Sequence, residues 1–95
     1  MNYLENLYNI KNKVAIITGG GGVLAGKMAE GLVKSGAKVI LLDLKMESTR
    51  SLVAELSNFG EIKGMTCNVL DKSILESVKD RILSDFGRID IFLIY

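Results

Sequence analysis

Short apolar runs alternate with longer amphipathic segments along this chain of 95 residues. The runs Lys13–Thr18 and Lys38–Asp43 contain consecutive apolar residues, which is typical of strands that are buried on both faces. Ile62–Thr66 and Ile89–Tyr95 are two further strand candidates. The segments between these runs are long enough to cross over a sheet, so the pattern predicts parallel strands joined by helices.

Three helices are predicted between the strands, each from an apolar stripe with helical spacing. The positions expected to face inward are, in chain order, Leu24, Ala25, Met28, Ala29, Leu32 and Val33; Leu52, Val53, Leu56 and Phe59; and Ile74, Val78, Ile82 and Phe86. Gly36, Gly60 and Gly87 follow the stripes and are expected to end the helices. The third helix can begin with Asp71 as its N-cap or with a Ser73–Glu76 capping box.

The resulting β-α-β-α-β-α-β order predicts a single α/β domain over residues 1–95. Apolar residues make up 48% of the sequence, which is enough for a core, and no repeat or linker divides the chain. Because crossovers between parallel strands are right-handed, the predicted fold is a doubly wound parallel sheet.

The charged and reactive residues exclude several classes of function. The formal net charge is +1 and the lysines are dispersed, so neither a nucleic acid nor an anionic membrane is an expected partner. The sequence has no histidine and one cysteine, Cys67, which is expected to be a small buried residue, and no metal site is expected. Neither a membrane span nor a secretory signal is recognisable, so we expect a soluble, cytoplasmic protein.

Four consecutive glycines, Gly19–Gly22, lie between the first strand and the first helix. Such a cluster lets the backbone approach a phosphate group, and two kinds of phosphate loop fit the sequence. Gly21–Lys27 matches the G-x-x-x-x-G-K of a nucleoside-triphosphate loop, whereas Thr18 with the glycines that follow it suggests a dinucleotide turn. The triphosphate loop is disfavoured because the next residue must offer a hydroxyl to Mg²⁺, and Met28 occupies that position.

Asp43 ends the second predicted strand and gives the dinucleotide interpretation further support. A dinucleotide-binding fold carries an acidic residue about 20 positions beyond its glycine loop, where the carboxylate binds the ribose hydroxyls of adenosine. The charge of Asp43 would repel a 2′-phosphate, so NAD is expected in preference to NADP. Lys45, two residues later, keeps NADP as the alternative.

Four segments together resemble one family of enzymes. They are KVAIITG at Lys13–Gly19, SGAKV at Ser35–Val39, CNVLD at Cys67–Asp71 and FGRIDI at Phe86–Ile91. Over about residues 8–93 the chain is similar to the short-chain dehydrogenase/reductase family. The resemblance implies a Rossmann-type sheet with the partial strand order 3-2-1-4 and a dinucleotide as partner. It also implies that Asn68 stands where the family has an acid that contacts the adenine, and its amide can both accept and donate there.

On this resemblance, the cofactor-binding residues are expected to be Gly19, Gly20, Gly21, Gly22, Val23, Leu24, Asp43, Asn68 and Val69. The second and third glycines of the family's loop correspond here to Val23 and Ala25. The side chain of Val23 would crowd a pyrophosphate unless the neighbouring glycines let the backbone move. The GGGGVL form of the loop resembles a sugar-acid subgroup of the family, the D-mannonate oxidoreductases (fructuronate reductases).

The family's catalytic serine and Tyr-x-x-x-Lys motif lie beyond the point that corresponds to Tyr95. At that spacing Tyr3 is followed by Leu7 and Tyr8 by Asn12, so the motif does not occur in this sequence. The family uses that tyrosine to protonate the alkoxide that hydride transfer leaves. The resemblance therefore implies the truncated NAD(P)-binding part of an alcohol–ketone oxidoreductase, with no catalytic residue and no activity alone.

The fourth predicted strand would then be an uncovered apolar edge, and self-association through it is expected. A non-catalytic nucleotide-binding or scaffold protein is the alternative to a broken-off part of an enzyme.

Overall fold

The computed structural model describes residues 11–19 and 23–93, and within these ranges four strands and three helices alternate. The strands are β1 (Val14–Thr18), β2 (Lys38–Asp43), β3 (Ile62–Thr66) and β4 (Ile91–Leu93). The helices are α1 (Val23–Lys34), α2 (Met46–Leu56) and α3 (Lys72–Phe86). Each strand pair is parallel and the order is β3-β2-β1-β4, which confirms the predicted Rossmann-type sheet. The predicted fourth strand, Ile89–Tyr95, begins two residues later than expected, at Ile91, and Ile94 and Tyr95 lie outside the described residues.

The core lies on both faces of β1 and β2, as their apolar sequences predict. One face packs against α1 and α2 in a buried cluster of Ile17, Ala25, Ala29, Val33, Val39, Leu41, Leu56 and Ile62. The other face packs against α3 in a second cluster of Val14, Ile16, Ile40, Leu42, Cys67 and Ile82. Successive strand residues point to opposite faces, so consecutive apolar residues serve both clusters.

Three of the predicted inward positions are wrong: Leu24, Phe59 and Ile74 are exposed. Leu24 lies in the first turn of α1, and the buried face of this helix consists of Ala25, Ala29 and Val33 instead. Ile74 lies in the first turn of α3, a helix that buries Ile82 alone among its residues. In both helices the apolar stripe continues past the part of the helix that the sheet covers.

Phe59 is exposed because α2 ends earlier than its stripe suggests. The helix ends at Leu56, with the N–H of Ser57 bonded to the carbonyl of Val53, and Gly60 follows four residues later. The ring of Phe59 lies instead under the ammonium group of Lys34, 4.7 Å from the ring centroid. This cation–π contact connects the loop after α2 to the end of α1.

The other predicted helix boundaries are confirmed. Asp71 is the N-cap of α3, because its carboxylate accepts the N–H of Ile74 at 3.2 Å, which settles the choice against the capping box at Ser73–Glu76. Gly36 and Gly87 follow α1 and α3 with φ angles of 94° and 81°. No helix among the described residues could span a bilayer, and the longest, α3, has 15 residues.

A close approach between α2 and β3 requires glycine at position 64. A Cβ atom on Gly64 would lie 2.7 Å from Oγ1 and 3.3 Å from Cβ of Thr49, a fully buried side chain of α2. The hydroxyl of Thr49 is held in place, since it donates to the carbonyl of Met46 at 3.0 Å. A side chain at position 64 would therefore force α2 or the strand to shift.

Gly64→Ala is accordingly expected to lower the free energy of unfolding by about 1–3 kcal/mol through overpacking. Gly31→Ala is the matched control, because a Cβ atom on Gly31 of α1 would meet nothing within 4 Å. The control should be neutral or raise stability by up to about 1 kcal/mol, as alanine is the better helix former. Urea unfolding monitored by circular dichroism compares the two, and equal stabilities would contradict the packing described.

Asp90 fixes the start of β4 against β1. Its carboxylate accepts the backbone N–H of Val14 at 2.9 Å and the guanidinium of Arg88 at 2.6 Å, and its own N–H donates to the carbonyl of Val14 at 2.9 Å. The hydrogen bond from Arg88, followed by that from Val14, lowers the pKa of the Asp90 carboxyl. The ionised form of Asp90 is therefore the one that holds the two strands in register.

Because the pKa of Asp90 is lower in the folded than in the unfolded chain, its ionised carboxylate stabilises the fold. This contribution is fully present above the unfolded pKa of about 4 and is lost as the pH falls through the folded pKa. The melting temperature of the wild-type chain should therefore exceed that of Asp90→Asn at pH 6, and the difference should shrink below about pH 4. Thermal melts of both proteins across this range test the expectation. If the difference in melting temperature did not change with pH, the charge of Asp90 would not contribute to stability.

Candidate functional site

A pocket of about 290 Å³ lies at the carboxyl edge of the sheet. Parallel strands end at the same edge, so the residues that follow β1, β2 and β3 come together there. Four of the predicted cofactor residues line it: Gly19, Asp43, Asn68 and Val69. Leu42, Leu44, Cys67 and Leu70 complete the lining.

The turn from β1 to α1 forms one end of this edge. Gly19 has a φ of 65°, a left-handed conformation that glycine adopts without strain, so the chain turns sharply after Thr18. Gly20, Gly21 and Gly22, also predicted to bind the cofactor, lie outside the described residues. Helix α1 then begins with Val23 and Leu24, whose side chains are exposed. They do not line the pocket, but their backbone belongs to the first helical turn, where N–H groups have no partner within the helix.

Thr18 connects this turn to the neighbouring strand. Its side chain is buried, and its hydroxyl donates to the carbonyl of Leu93 in β4 at 3.4 Å. Because β1 and β4 lie side by side, the contact holds their carboxyl ends together at the start of the glycine turn. Thr18 therefore links β1 to β4 where the glycine turn begins.

Asp43 occupies the end of β2, in the middle of the edge. Its backbone carbonyl accepts the N–H of Cys67 at 2.8 Å, which continues the ladder to the residue after β3. Its carboxylate accepts the N–H of Lys45 at 3.2 Å and so closes the turn that leads into α2. The side chain is thereby oriented by its own turn and remains partly accessible at the pocket.

The side chain of Asn68 likewise closes a turn, the one that follows β3. Its side-chain oxygen accepts the N–H of Leu70 at 3.0 Å, and its backbone carbonyl accepts the N–H of Asp71 at the same distance. The amide oxygen is thus engaged in the turn, and the amide NH₂ is the donor that Asn68 brings to the pocket. The sequence indicated that this amide could both accept and donate, whereas the turn favours donation.

Cys67 lines the pocket without being reactive. It is 3% exposed, as its expected role as a small buried residue requires. Burial, followed by the charge of Asp71, raises the pKa of its thiol. Since the thiolate is the nucleophilic form, Cys67 is a neutral, apolar part of the wall at neutral pH.

Helix α1 begins too early for a triphosphate loop. Such a loop wraps its phosphates with the backbone that precedes the G-K pair, but here residues 23–26 are already helical. Lys27 lies within the helix with an exposed side chain, and Met28 packs against the first core cluster. Among residues 11–19 and 23–93, no group of three or more acidic, cysteine or histidine side chains could hold a metal ion.

Two residues that sequence reasoning did not find stand at the rim of the pocket. Leu44 and Leu70 are 64% and 92% exposed, and they lie within the turns that Asp43 and Asn68 begin. Single exposed leucines are common on protein surfaces, so neither position stood out alone. Both leucines follow a polar residue of such a turn by one or two positions, and this shared position is the signal that the sequence contained.

A doubly wound parallel sheet with a pocket at the carboxyl ends of its strands is the general architecture of α/β ligand-binding domains. The chain belongs to the short-chain dehydrogenase family, whose family model matches residues 13–94. This confirms the resemblance seen in the sequence.

The individual relatives are oxidoreductases. An uncharacterized oxidoreductase of Haemophilus influenzae is 37% identical over 94 residues, which cover 98% of this chain and 33% of the relative. An uncharacterized oxidoreductase of Bacillus subtilis is 38% identical over 89 residues, which cover 90% and 31%. The chain thus spans about a third of the length of the curated relatives it matches.

Solved structures agree with the fold. A candidate D-mannonate oxidoreductase from Haemophilus influenzae with bound NAD superposes with a TM-score of 0.83 at 36% identity, covering 94% of this chain and 32% of that one. An NAD⁺-bound xylitol dehydrogenase superposes with a TM-score of 0.83 at 27% identity, covering 87% and 32%.

Proposed function

We propose that this chain binds NAD at the carboxyl edge of its sheet, as the cofactor-binding part of an oxidoreductase. The residues proposed to contact the cofactor are Gly19, Gly20, Gly21, Gly22, Val23, Leu24, Asp43, Asn68 and Val69. The observation that supports this most is that residues following three different strands line one pocket there.

Each part of the cofactor has a chemically suitable partner in this proposal. The glycine loop and the first turn of α1, which contains no acidic side chain, present N–H groups and the positive end of the helix dipole to the pyrophosphate. The carboxylate of Asp43 accepts hydrogen bonds from the adenosine ribose. The NH₂ group of Asn68 donates to the adenine, which is flanked by Val69 and the apolar rim of Leu44 and Leu70.

NAD is proposed rather than NADP because of the charge at the end of β2. A 2′-phosphate would approach the Asp43 carboxylate, and like charges at that distance repel. Lys45 offers a compensating ammonium group two residues later, so its side chain is the feature that could admit NADP. The NAD-bound relative at 36% identity supports the choice.

Thermal stabilisation by nucleotides tests the proposal directly. A ligand that binds only the folded chain at 100 times its Kd stabilises it by about 2.7 kcal/mol, so NAD should raise the melting temperature by several degrees. ATP with Mg²⁺ should raise it much less, and Lys27→Ala should leave the NAD effect unchanged. If ATP with Mg²⁺ stabilised the chain and Lys27→Ala abolished this effect, the ligand of the loop would be a nucleoside triphosphate and not a dinucleotide.

For the activity, we propose that the whole protein is an alcohol–ketone oxidoreductase, with a sugar acid such as D-mannonate or D-fructuronate as its substrate. The GGGGVL loop and the candidate D-mannonate oxidoreductase among the relatives support this substrate class. Because the 95 residues contain no Tyr-x-x-x-Lys to protonate the alkoxide, we propose that they bind NAD without turnover. Oxidation of NADH by D-fructuronate above background with this chain would contradict that part.

The outer edge of β4 is proposed as a self-association surface. β4 ends the sheet order of the described residues, and Phe92 at its centre is 37% exposed. An unpaired apolar edge strand pairs readily with another chain. Sedimentation should therefore show a dimer that Phe92→Lys dissociates, and a monomer at high concentration would contradict the proposal.

A further inference from the structure

The opposite edge of the sheet carries a second and larger concave surface, here called the β3 groove. It has a volume of about 470 Å³, and its floor is the outer side of Lys63–Thr66 in β3. Ser77, Val78 and Arg81 of α3 form one wall, and Met46 at the start of α2 forms the other. None of these residues belongs to the proposed cofactor site.

The hydrogen-bonding groups of β3 alternate between its neighbour and this groove. Val39 donates to the carbonyl of Glu61 at 3.0 Å, and Cys67 donates to the carbonyl of Asp43 at 2.8 Å. In a parallel ladder, alternate residues direct both their N–H and their C=O to the same neighbour, so Lys63 and Met65 also face β2. The N–H and C=O groups of Ile62, Gly64 and Thr66 therefore point away from β2, and Gly64 and Thr66 lie in the floor of the groove.

The size and shape of the groove fit an added strand. β3 is the last strand on this side in the sheet order of the described residues, so its outer groups have no strand partner there. Gly64 has no side chain and Met65 is half-buried, so the middle of the floor is low, while the exposed apolar side chain of Met46 lies beside it. An extended peptide that pairs with a free strand gains backbone hydrogen bonds, and pockets along the strand select its side chains.

The charges of the groove select the kind of strand. Its lining contains two cations, Lys63 and Arg81, and no acidic residue. Arg81 forms an ion pair with Asp85 at 3.9 Å, and both side chains are exposed to solvent, so the pair neutralises the charge of Arg81 only weakly. A second copy of β3 would bring Lys63 and Arg81 of both chains together, and like charges across a strand pair are destabilising.

From this arrangement we infer that the β3 groove binds an extended acidic segment of a partner protein by strand addition to β3. Carboxylates on alternate positions of the segment contact Lys63 and Arg81, and its backbone pairs with Ile62, Gly64 and Thr66. The inference is independent of NAD binding, because the two surfaces use different residues.

The test uses the full chain and two fluorescent eight-residue peptides, one alternating glutamate with threonine and the other alternating lysine with threonine. By fluorescence anisotropy at low salt, the glutamate peptide should bind at least about tenfold more tightly, and the preference should decrease in 0.5 M NaCl as charges are screened. The double variant with Lys63→Glu and Arg81→Glu should reverse the preference. Lys79→Glu, on the far side of α3 from the groove, should leave it unchanged.

Thr66→Pro tests the strand pairing itself. It removes an outward N–H without removing a hydrogen bond to β2, and exposed edge strands tolerate proline on their solvent side. This variant should lose most of the peptide affinity, while Thr66→Ala should keep it. In the wild-type chain, the peptide should slow hydrogen exchange at the amides of Gly64 and Thr66 but not at those of Lys63 and Met65.

Several outcomes would overturn the inference. Equal affinity for the two peptides would show that the cations do not select the ligand. If neither peptide bound, the groove would not be a binding site for an extended segment. If Thr66→Pro bound the glutamate peptide as tightly as Thr66→Ala does, strand addition to β3 would be excluded. A dimer in sedimentation that Thr66→Pro dissociates would mean that a second copy of this chain occupies the groove.

Discussion

Ile82→Ala is expected to lower the free energy of unfolding by about 2–5 kcal/mol, the usual cost of removing a large aliphatic side chain from a core. Ile82 is 1% exposed and is the only residue of α3 that the sheet covers completely. The neighbouring apolar residues of α3, such as Val78 and Phe86, are only partly buried. Since Ile82 is the one fully buried contact of α3 with its face of the sheet, we expect the loss to loosen the helix.

Leu83→Ala is the matched control, because it removes a similar side chain from the next position of the same helix. Leu83 is 41% exposed, so its replacement should change stability by no more than about 1 kcal/mol. Urea unfolding of the three proteins gives the difference, and hydrogen exchange within α3 reports the loosening. Equal effects of the two substitutions would contradict the described orientation of α3.

Asp43→Ala is expected to weaken NAD binding by about 1.5–3 kcal/mol, the contribution of hydrogen bonds to a charged group, or roughly 10- to 150-fold in Kd. The reason is that its carboxylate is the acceptor proposed for the adenosine ribose. NADP affinity should fall less or rise, because the repulsion of the 2′-phosphate is removed at the same time. Isothermal titration calorimetry with both nucleotides measures the two changes.

Two further variants separate the charge of Asp43 from its structural part. Asp43→Asn keeps an oxygen that can accept the N–H of Lys45, so it should preserve the turn after β2 while it loses most of the NAD-specific preference. Asp80→Ala removes an exposed acid from α3, away from the pocket, and should bind both nucleotides like the wild type. If Asp80→Ala weakened NAD binding as much as Asp43→Ala, the effect would be one of net charge.

The sheet could be predicted closely because its signals are local and strong. The consecutive apolar residues of β1 and β2 are explained by burial on both faces, and β3 has the predicted bounds. The end of α3 was predictable because a glycine, Gly87, defines it, whereas at its start the sequence left Asp71 and the Ser73–Glu76 capping box as alternatives. The exposed positions of Leu24 and Phe59 were not predictable, because an apolar stripe does not reveal how far the sheet reaches along a helix.

Four of the predicted site residues line the pocket, but the geometry of the pocket could not be predicted. The positions of Gly19, Asp43 and Asn68 after successive strands indicated that they meet, since parallel strands share a carboxyl edge. The sequence did not show which of their hydrogen-bonding groups are already engaged within the turns. The amide oxygen of Asn68 holds the N–H of Leu70, and that hydrogen bond depends on the conformation of the turn.

The β3 groove shows a different reason for a gap in the sequence-based prediction. Lys63 and Arg81 lie on separate elements, and nothing local relates them. Only the packing of α3 beside the edge of β3 brings both cations to one surface.

The measurement that tests the central claim most directly is an NMR titration of the ¹⁵N-labelled chain with NAD. The account predicts that the amide signals of Gly19, Asp43, Asn68 and Val69 shift together and saturate with one Kd, while those of Lys63–Thr66 in β3 do not move. Shifts confined to β3 and α3, or none at millimolar NAD, would contradict it.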